Sequence, residues 1–108
     1  MKWYKLFEDE GQLQRALGEQ GRRMLRIGER RVCMVEENGE YHVFDNLCPH
    51  NKHSLMEGTI NYLKEVVCPL HGYRYSLKDG LECEGRSTSL AIHEVEIRAG
   101  GVFLGLKE

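Results

Sequence analysis

Two stretches decide how this sequence is read: NLCPHNKHSL at 46–55 and VVCPLHGYRY at 66–75. Each carries Cys-Pro followed closely by a histidine. Together they hold five metal-ligating side chains, Cys48, His50, His53, Cys68 and His71. The proline fixes φ and lacks an N–H, so it stiffens the turn beside a ligand. A short Cys-to-His gap lets both side chains face one point. Gly72, directly after His71, lets the backbone pass close to a bulky inorganic group. The segments echo each other beyond the ligands: CPHNKHSLMEG and CPLHGYRYSLKDG both run on to Ser-Leu, any residue, an acid and Gly. Two similar loops folded over one shared object from opposite sides would look like this.

Three readings of these side chains stand side by side. They are ordinary loop and core residues, or they bind a structural zinc, or they bind an iron–sulfur cluster. Zinc accepts a Cys₂His₂ set but commonly takes a cysteine pair from one place and a histidine pair from another. Here each segment mixes one of each. A [2Fe–2S] cluster with two histidines in place of two cysteines on one iron accounts for the mixing, because each loop then gives its cysteine to one iron and its histidine to the other.

Outward from these loops the chain reads as short strands. Trp3–Phe7, Arg22–Ile27, Arg31–Glu36, Arg74–Leu77, Leu90–Arg98 and Val102–Leu106 have strand patterns, and 58–62 with 65–68 forms a short hairpin. Asn38-Gly39, inside VCMVEENGEYHVFD, supplies the two positive-φ residues of a type I′ turn. Cys33, Val35, Tyr41 and Val43 suit a half-buried ribbon. Asp9–Gly18 is the one helical excursion, with Leu13, Ala16 and Leu17 on one face. The fold class is all-β, a small antiparallel barrel or sandwich, in a single domain over 1–108.

The chain has 15 Lys+Arg against 17 Asp+Glu, a formal charge of -2, with 41% hydrophobic and 30% charged residues. That balance describes a globular protein and gives no reason to expect a nucleic-acid partner. Charges interrupt every apolar segment, so neither a secretory leader nor a membrane span is expected. The expected location is cytoplasmic, where the four cysteines are thiols or metal ligands rather than disulfides.

Cys-x-His followed by Cys-x-x-His resembles the Rieske signature. FDNLCPH, VVCPLHGYRYSLKDG and LAIHEVEIRAGGVFLG are similar to Rieske ferredoxins and to the small subunit of assimilatory nitrite reductase. The resemblance implies a Rieske-like iron–sulfur domain with two cluster-binding loops. It assigns Cys48 and Cys68 to one iron of a [2Fe–2S] cluster and His50 and His71 to the other. His53 is left over as a surface residue near the cluster, and Leu55 and Leu70 form an apolar lid. The implied role is a one-electron carrier, not itself an enzyme, between a flavin reductase and an oxygenase or other terminal acceptor. The alternatives are a small subunit beside the large subunit of a nitrite-reductase-like complex and, in third place, a zinc-binding interaction module.

Five positions depart from or keep the pattern of Rieske proteins, the respiratory ones above all. His53 and Leu70 stand where those proteins carry a disulfide, and Tyr73 stands where they carry a serine donor. Tyr75 matches the tyrosine that hydrogen-bonds a ligand cysteine. Lys52 replaces a frequent glycine. Cys33 and Cys83 read as buried small hydrophobes or plain thiols, and His42 and His93 as partly buried structural residues. Glu8-Asp9-Glu10 reads as a helix-start acid cluster. Arg22, Arg23, Arg26, Arg30 and Arg31 read as a solvated strand face, with docking of an acidic partner as the other reading.

Overall fold

The computed structural model describes residues 1–107. In chain order the elements are β1 (Lys2–Phe7), α1 (Glu10–Leu17), β2 (Arg22–Ile27), β3 (Arg30–Glu37), β4 (Glu40–Asp45), a 3-10 turn (Leu55–Glu57), β5 (Thr59–Ile60), β6 (Glu65–Val67), β7 (Arg74–Ser76), β8 (Ile92–Arg98) and β9 (Gly101–Leu106). Six strands form one antiparallel sheet in the order β1-β9-β8-β4-β3-β2, and β5-β6-β7 form a second. No helix among the described residues is long and apolar enough to cross a membrane.

Local chemistry accounts for the ends of the elements. Asp9 accepts the Gln12 N–H at 2.8 Å and so caps α1 from outside it, while Gly18 (φ 68°) stops the helix. The acid cluster at 8–10 therefore has a capping role. Asn38 (φ 53°) and Gly39 (φ 82°) close the β3–β4 hairpin with Glu37 opposite Glu40, the expected type I′ geometry.

The β3–β4 ribbon differs from the sequence expectation in one respect. It is not half-buried: β3 is covered on both faces. Val32 and Met34 pack with Leu13, Leu17, Val43, Val102 and Leu104 on the helix side. Cys33 and Val35 pack with Phe44, Cys48, Leu55, Val66, Cys68 and Tyr75 on the other. The reason is the second sheet. The chain leaves the large sheet at Asp45 and returns at Ile92, on the strand that pairs with β4 (Phe44 opposite Ile92). Everything between folds back over the Cys33 face. Gly58 sits at a tight point of this layer, since a Cβ there would lie 2.3 Å from the Val67 carbonyl oxygen.

Candidate metal centre

The two Cys-Pro loops have the same backbone. In the first, Cys48 N–H donates to the His53 carbonyl (2.9 Å) and Lys52 N–H to the Cys48 carbonyl (2.8 Å). In the second, Cys68 N–H donates to the Tyr73 carbonyl (2.8 Å) and Gly72 N–H to the Cys68 carbonyl (2.9 Å). Both loops need a left-handed residue four places after the cysteine: Lys52 (φ 63°) and Gly72 (φ 74°). The weak sequence echo is thus a structural repeat. Lys52 adopts the conformation that glycine takes more readily, so the first loop keeps its shape. At Gly72 a Cβ would meet no protein atom within 4 Å. The requirement there is the dihedral angle rather than close protein packing.

The loops sort their side chains by depth. Cys48 and Cys68 are fully buried in the core beneath the loops, whereas His50 and His71 are exposed with ring centroids 5.3 Å apart. Tyr75 Oη lies 3.3 Å from Cys48 Sγ and 3.0 Å from Ser87 Oγ. Burial pushes the Cys48 thiol up, but the Tyr75 hydroxyl and the N–H groups of Asn51 and His50 outweigh it and hold the thiol below its ordinary value. The other buried thiol behaves oppositely. Burial pushes Cys33 up to about 12, and its S–H points at Asn46 Oδ1 (3.1 Å). Cys33 is therefore an inert core residue, while Cys83 is an exposed thiol rather than a buried one.

The His53 ring lies beside Glu57. Its Nε2 is 3.5 Å from Glu57 Oε2 and its N–H donates to Asn51 Oδ1. The expected lid is divided: Leu70 is 54% exposed, but Leu55 is wholly buried beside both cysteines. His93 is structural, as expected. Its Nδ1 accepts the Lys107 N–H (3.0 Å), which puts the proton on Nε2, facing Asp45 (2.7 Å). His42 is half-buried, and burial lowers its pKa.

Sequence reasoning missed three supports of the site. The Asn51 carboxamide lies 3.4 Å from His71 Nδ1 and 3.7 Å from Cys68 Sγ, reaching from the first loop to the second. The Tyr73 ring stacks on His50 (3.9 Å between centroids, 12° between planes), and the Arg86 guanidinium covers it at 4.1 Å. Arg86 is anchored by Glu82, a buried carboxylate that also accepts the N–H groups of Glu84 and Arg86. The shared loop backbone places Asn51 at the position equivalent to His71, which was the one available signal. Finally, Arg22 ties the 3-10 turn down by donating to the carbonyls of Met56 (2.8 Å) and Gly58 (2.6 Å), so this member of the basic run is not solvated.

These features suit a two-iron cluster better than one ion. Buried thiols lie on one side and exposed imidazoles on the other, the division expected where cysteines bind one iron and histidines the other. A curled antiparallel sheet carrying two matched Cys/His loops is the architecture of an iron–sulfur electron-transfer domain. The chain belongs to the Rieske [2Fe–2S] domain family, whose model matches residues 2–94, and its cofactor is a Rieske [2Fe–2S] cluster. It is 28% identical over 79 residues to the ferredoxin component of the alkene monooxygenase system of Xanthobacter autotrophicus, a match that spans 73% of this chain and 65% of that protein. Its fold matches the ferredoxin of carbazole 1,9a-dioxygenase from Nocardioides aromaticivorans IC177 (TM-score 0.77, 16% identity, 99% of this chain and 100% of that one). It also matches a chain in the complex of reduced oxygenase and oxidised ferredoxin in carbazole 1,9a-dioxygenase (TM-score 0.73, 22% identity, 95% and 92% of the two chains).

Proposed function

We propose that this chain is a one-electron carrier of an oxygenase system, with Cys48 and Cys68 holding the inner iron of the cluster and His50 and His71 the outer one. The observation that carries the assignment is the sorting of two buried thiols and two exposed imidazoles by loops closed by the same hydrogen bonds. When bound there, the cluster supplies a one-electron couple within reach of the surface. The protein's part is to hold and tune it. A ligand sulfur has no proton to give, so the Tyr75 hydroxyl donates to Cys48 while Ser87 positions the phenol. Asn51 braces the second loop, and Tyr73 shields one face of His50 from water.

The named relatives are ferredoxin components of oxygenase systems. This favours a carrier that takes electrons from a flavin reductase and gives them to an oxygenase over a nitrite-reductase small subunit. The chain works as one domain, and the cytoplasm is the compartment that suits its four free cysteines. Iron and sulfide analysis with visible and EPR spectra of the purified protein tests the reading. His53→Ala should keep the spectrum, while His50→Ala and His71→Ala should lose or convert it. A colourless zinc protein, or a cluster that survives His50→Ala but not His53→Ala, would overturn the assignment.

A further inference from the structure

Beside the first cluster loop lies a groove of about 630 Å³ bounded by β2, β3 and the strand-free stretch before β8. Its charges are unusual for a chain with a net charge of -2. Arg26, Arg31 and Lys52 all line it and are all exposed. Arg26 and Arg31 are direct cross-strand partners in the β2–β3 pair, so two like charges face each other on one side of the sheet. Such a pairing destabilises a sheet. Among the described residues no carboxylate neutralises it: the Arg26 Nε donates to the Gly28 carbonyl, and the side chains of Arg31 and Lys52 have no hydrogen bond or ion pair. Two acids line the groove. Asp45 is taken by Arg30 and His93, which leaves Glu29 against three cations. Pro49, the neighbour of His50, and Lys52 both belong to the cluster loop and to the groove wall.

We propose that this groove is the docking site for an acidic segment of the chain's electron-transfer partner. The inference rests on the reading of the chain as an electron carrier and adds where, and by what chemistry, the partner is held. The retained Arg26–Arg31 repulsion is relieved when carboxylates enter between them, so the groove binds charge rather than apolar surface. Carboxylates seated there would lie against the cluster loop. That brings the partner to the His50 side through a small, salt-sensitive contact, which suits a partner that must leave after one electron.

The test uses the whole cluster-loaded protein and a fluorescently labelled hexaglutamate peptide, read by anisotropy, with inorganic phosphate and duplex DNA as competitors and labelled hexalysine as a separate probe. Hexaglutamate should bind and should weaken as salt rises from about 0.05 to about 0.5 M, whereas hexalysine should bind far more weakly. Arg26→Glu should move two readouts in opposite directions. It replaces a repulsive cross-strand pair with an attractive one, so the thermal midpoint should rise, while peptide affinity falls by about tenfold or more. Lys52→Glu, which lies outside the strands, should weaken binding without that rise. Unchanged affinity in both variants would overturn the proposal. So would phosphate or DNA displacing the peptide at matched charge, which would make the groove a site for small anions or nucleic acid. The visible spectrum of each sample reports the cluster separately. If the unsubstituted protein shows no cluster spectrum, the carrier reading fails, whereas unsubstituted protein that carries the cluster but does not bind hexaglutamate counts against the groove alone.

Discussion

Replacing Tyr75 with phenylalanine isolates the contribution of one hydroxyl to the reduction potential. The ring is fully buried against Cys48, Leu55 and Cys68, and phenylalanine keeps that packing. With the phenol gone, the Ser87 hydroxyl can donate to the Thr88 carbonyl oxygen 2.8 Å away, so no donor is left stranded there. The Cys48 sulfur retains the N–H groups of Asn51 and His50. The stability cost should therefore stay near the net value of one ordinary hydrogen bond, about 1 kcal/mol. The potential should respond more clearly. A hydrogen bond to a charged acceptor is worth about 1.5–3 kcal/mol against about 1 for a neutral one. Reduction adds one electron's charge, spread over the cluster and its sulfurs, so this bond should strengthen by roughly 1 kcal/mol on reduction. For a one-electron couple that is about 40 mV, from about 59 mV per tenfold change in equilibrium constant. Removing the hydroxyl withdraws stabilisation mainly from the reduced state, so the potential should fall by that amount. Protein-film voltammetry of the two proteins at one pH and salt measures it. An unchanged or raised potential, with the cluster spectrum intact, would refute the assignment of Tyr75 as donor.

Further outcomes follow from the same contacts. Gly58→Ala should lower cluster occupancy and thermal stability together, because its Cβ would meet the Val67 carbonyl oxygen at 2.3 Å, whereas Gly39→Ala, with nothing within 4 Å but φ at 82°, should cost only about 1 kcal/mol of hairpin strain; iron content and melting curves compare them. Alkylation of the folded protein near neutral pH should label Cys83 and spare Cys33, whose buried thiol titrates at about 12; mass mapping decides. The Glu82 carboxyl is held far below the usual range by its hydrogen bonds to Arg86, which outweigh its burial, with the N–H groups of Arg86 and Glu84 adding to them. A depressed folded pKa stabilises the protein above the unfolded value of about 4.3 and ceases to do so as pH falls through the folded value. Glu82→Gln should therefore lower the melting temperature at neutral pH, and the gap from wild type should narrow in acid.

The parts of this protein that were legible from sequence are those decided by neighbours in the chain. Asn38-Gly39 dictates its turn by dihedral preference alone, Asp9 reaches only to Gln12, and each Cys-Pro loop is closed by bonds spanning four or five residues. What stayed hidden depends on which distant layer covers which face. Nothing near Cys33 or Val35 reveals that a second sheet, more than twenty residues on, buries their side of β3. Arg22 lies in a basic run that looks solvated until Met56 and Gly58 arrive to accept from it. The Arg86–Tyr73–His50 stack joins three residues whose letters carry no mutual spacing rule.

The two cluster loops also show why a motif written as Cys-x-His and Cys-x-x-His must be asymmetric. Their backbones make the same two hydrogen bonds and turn left-handed at the same step, which matches Cys48 with Cys68 and His53 with Tyr73, yet the histidines occupy different steps. His50 corresponds to Leu70, and His71 corresponds to Asn51. Two loops with both histidines at the same step would present them as copies related by the repeat. Offsetting one of them frees one position in each loop for another use. In the first loop the freed position holds Asn51, whose carboxamide reaches across to His71 and Cys68. In the second it holds Leu70, which is left 54% exposed. One vacated step thus braces the facing loop through polar contacts, and the other leaves an exposed apolar side chain next to His71. The extra residue between Cys68 and His71 is in this sense the difference between a loop that supports the site and a loop that displays it.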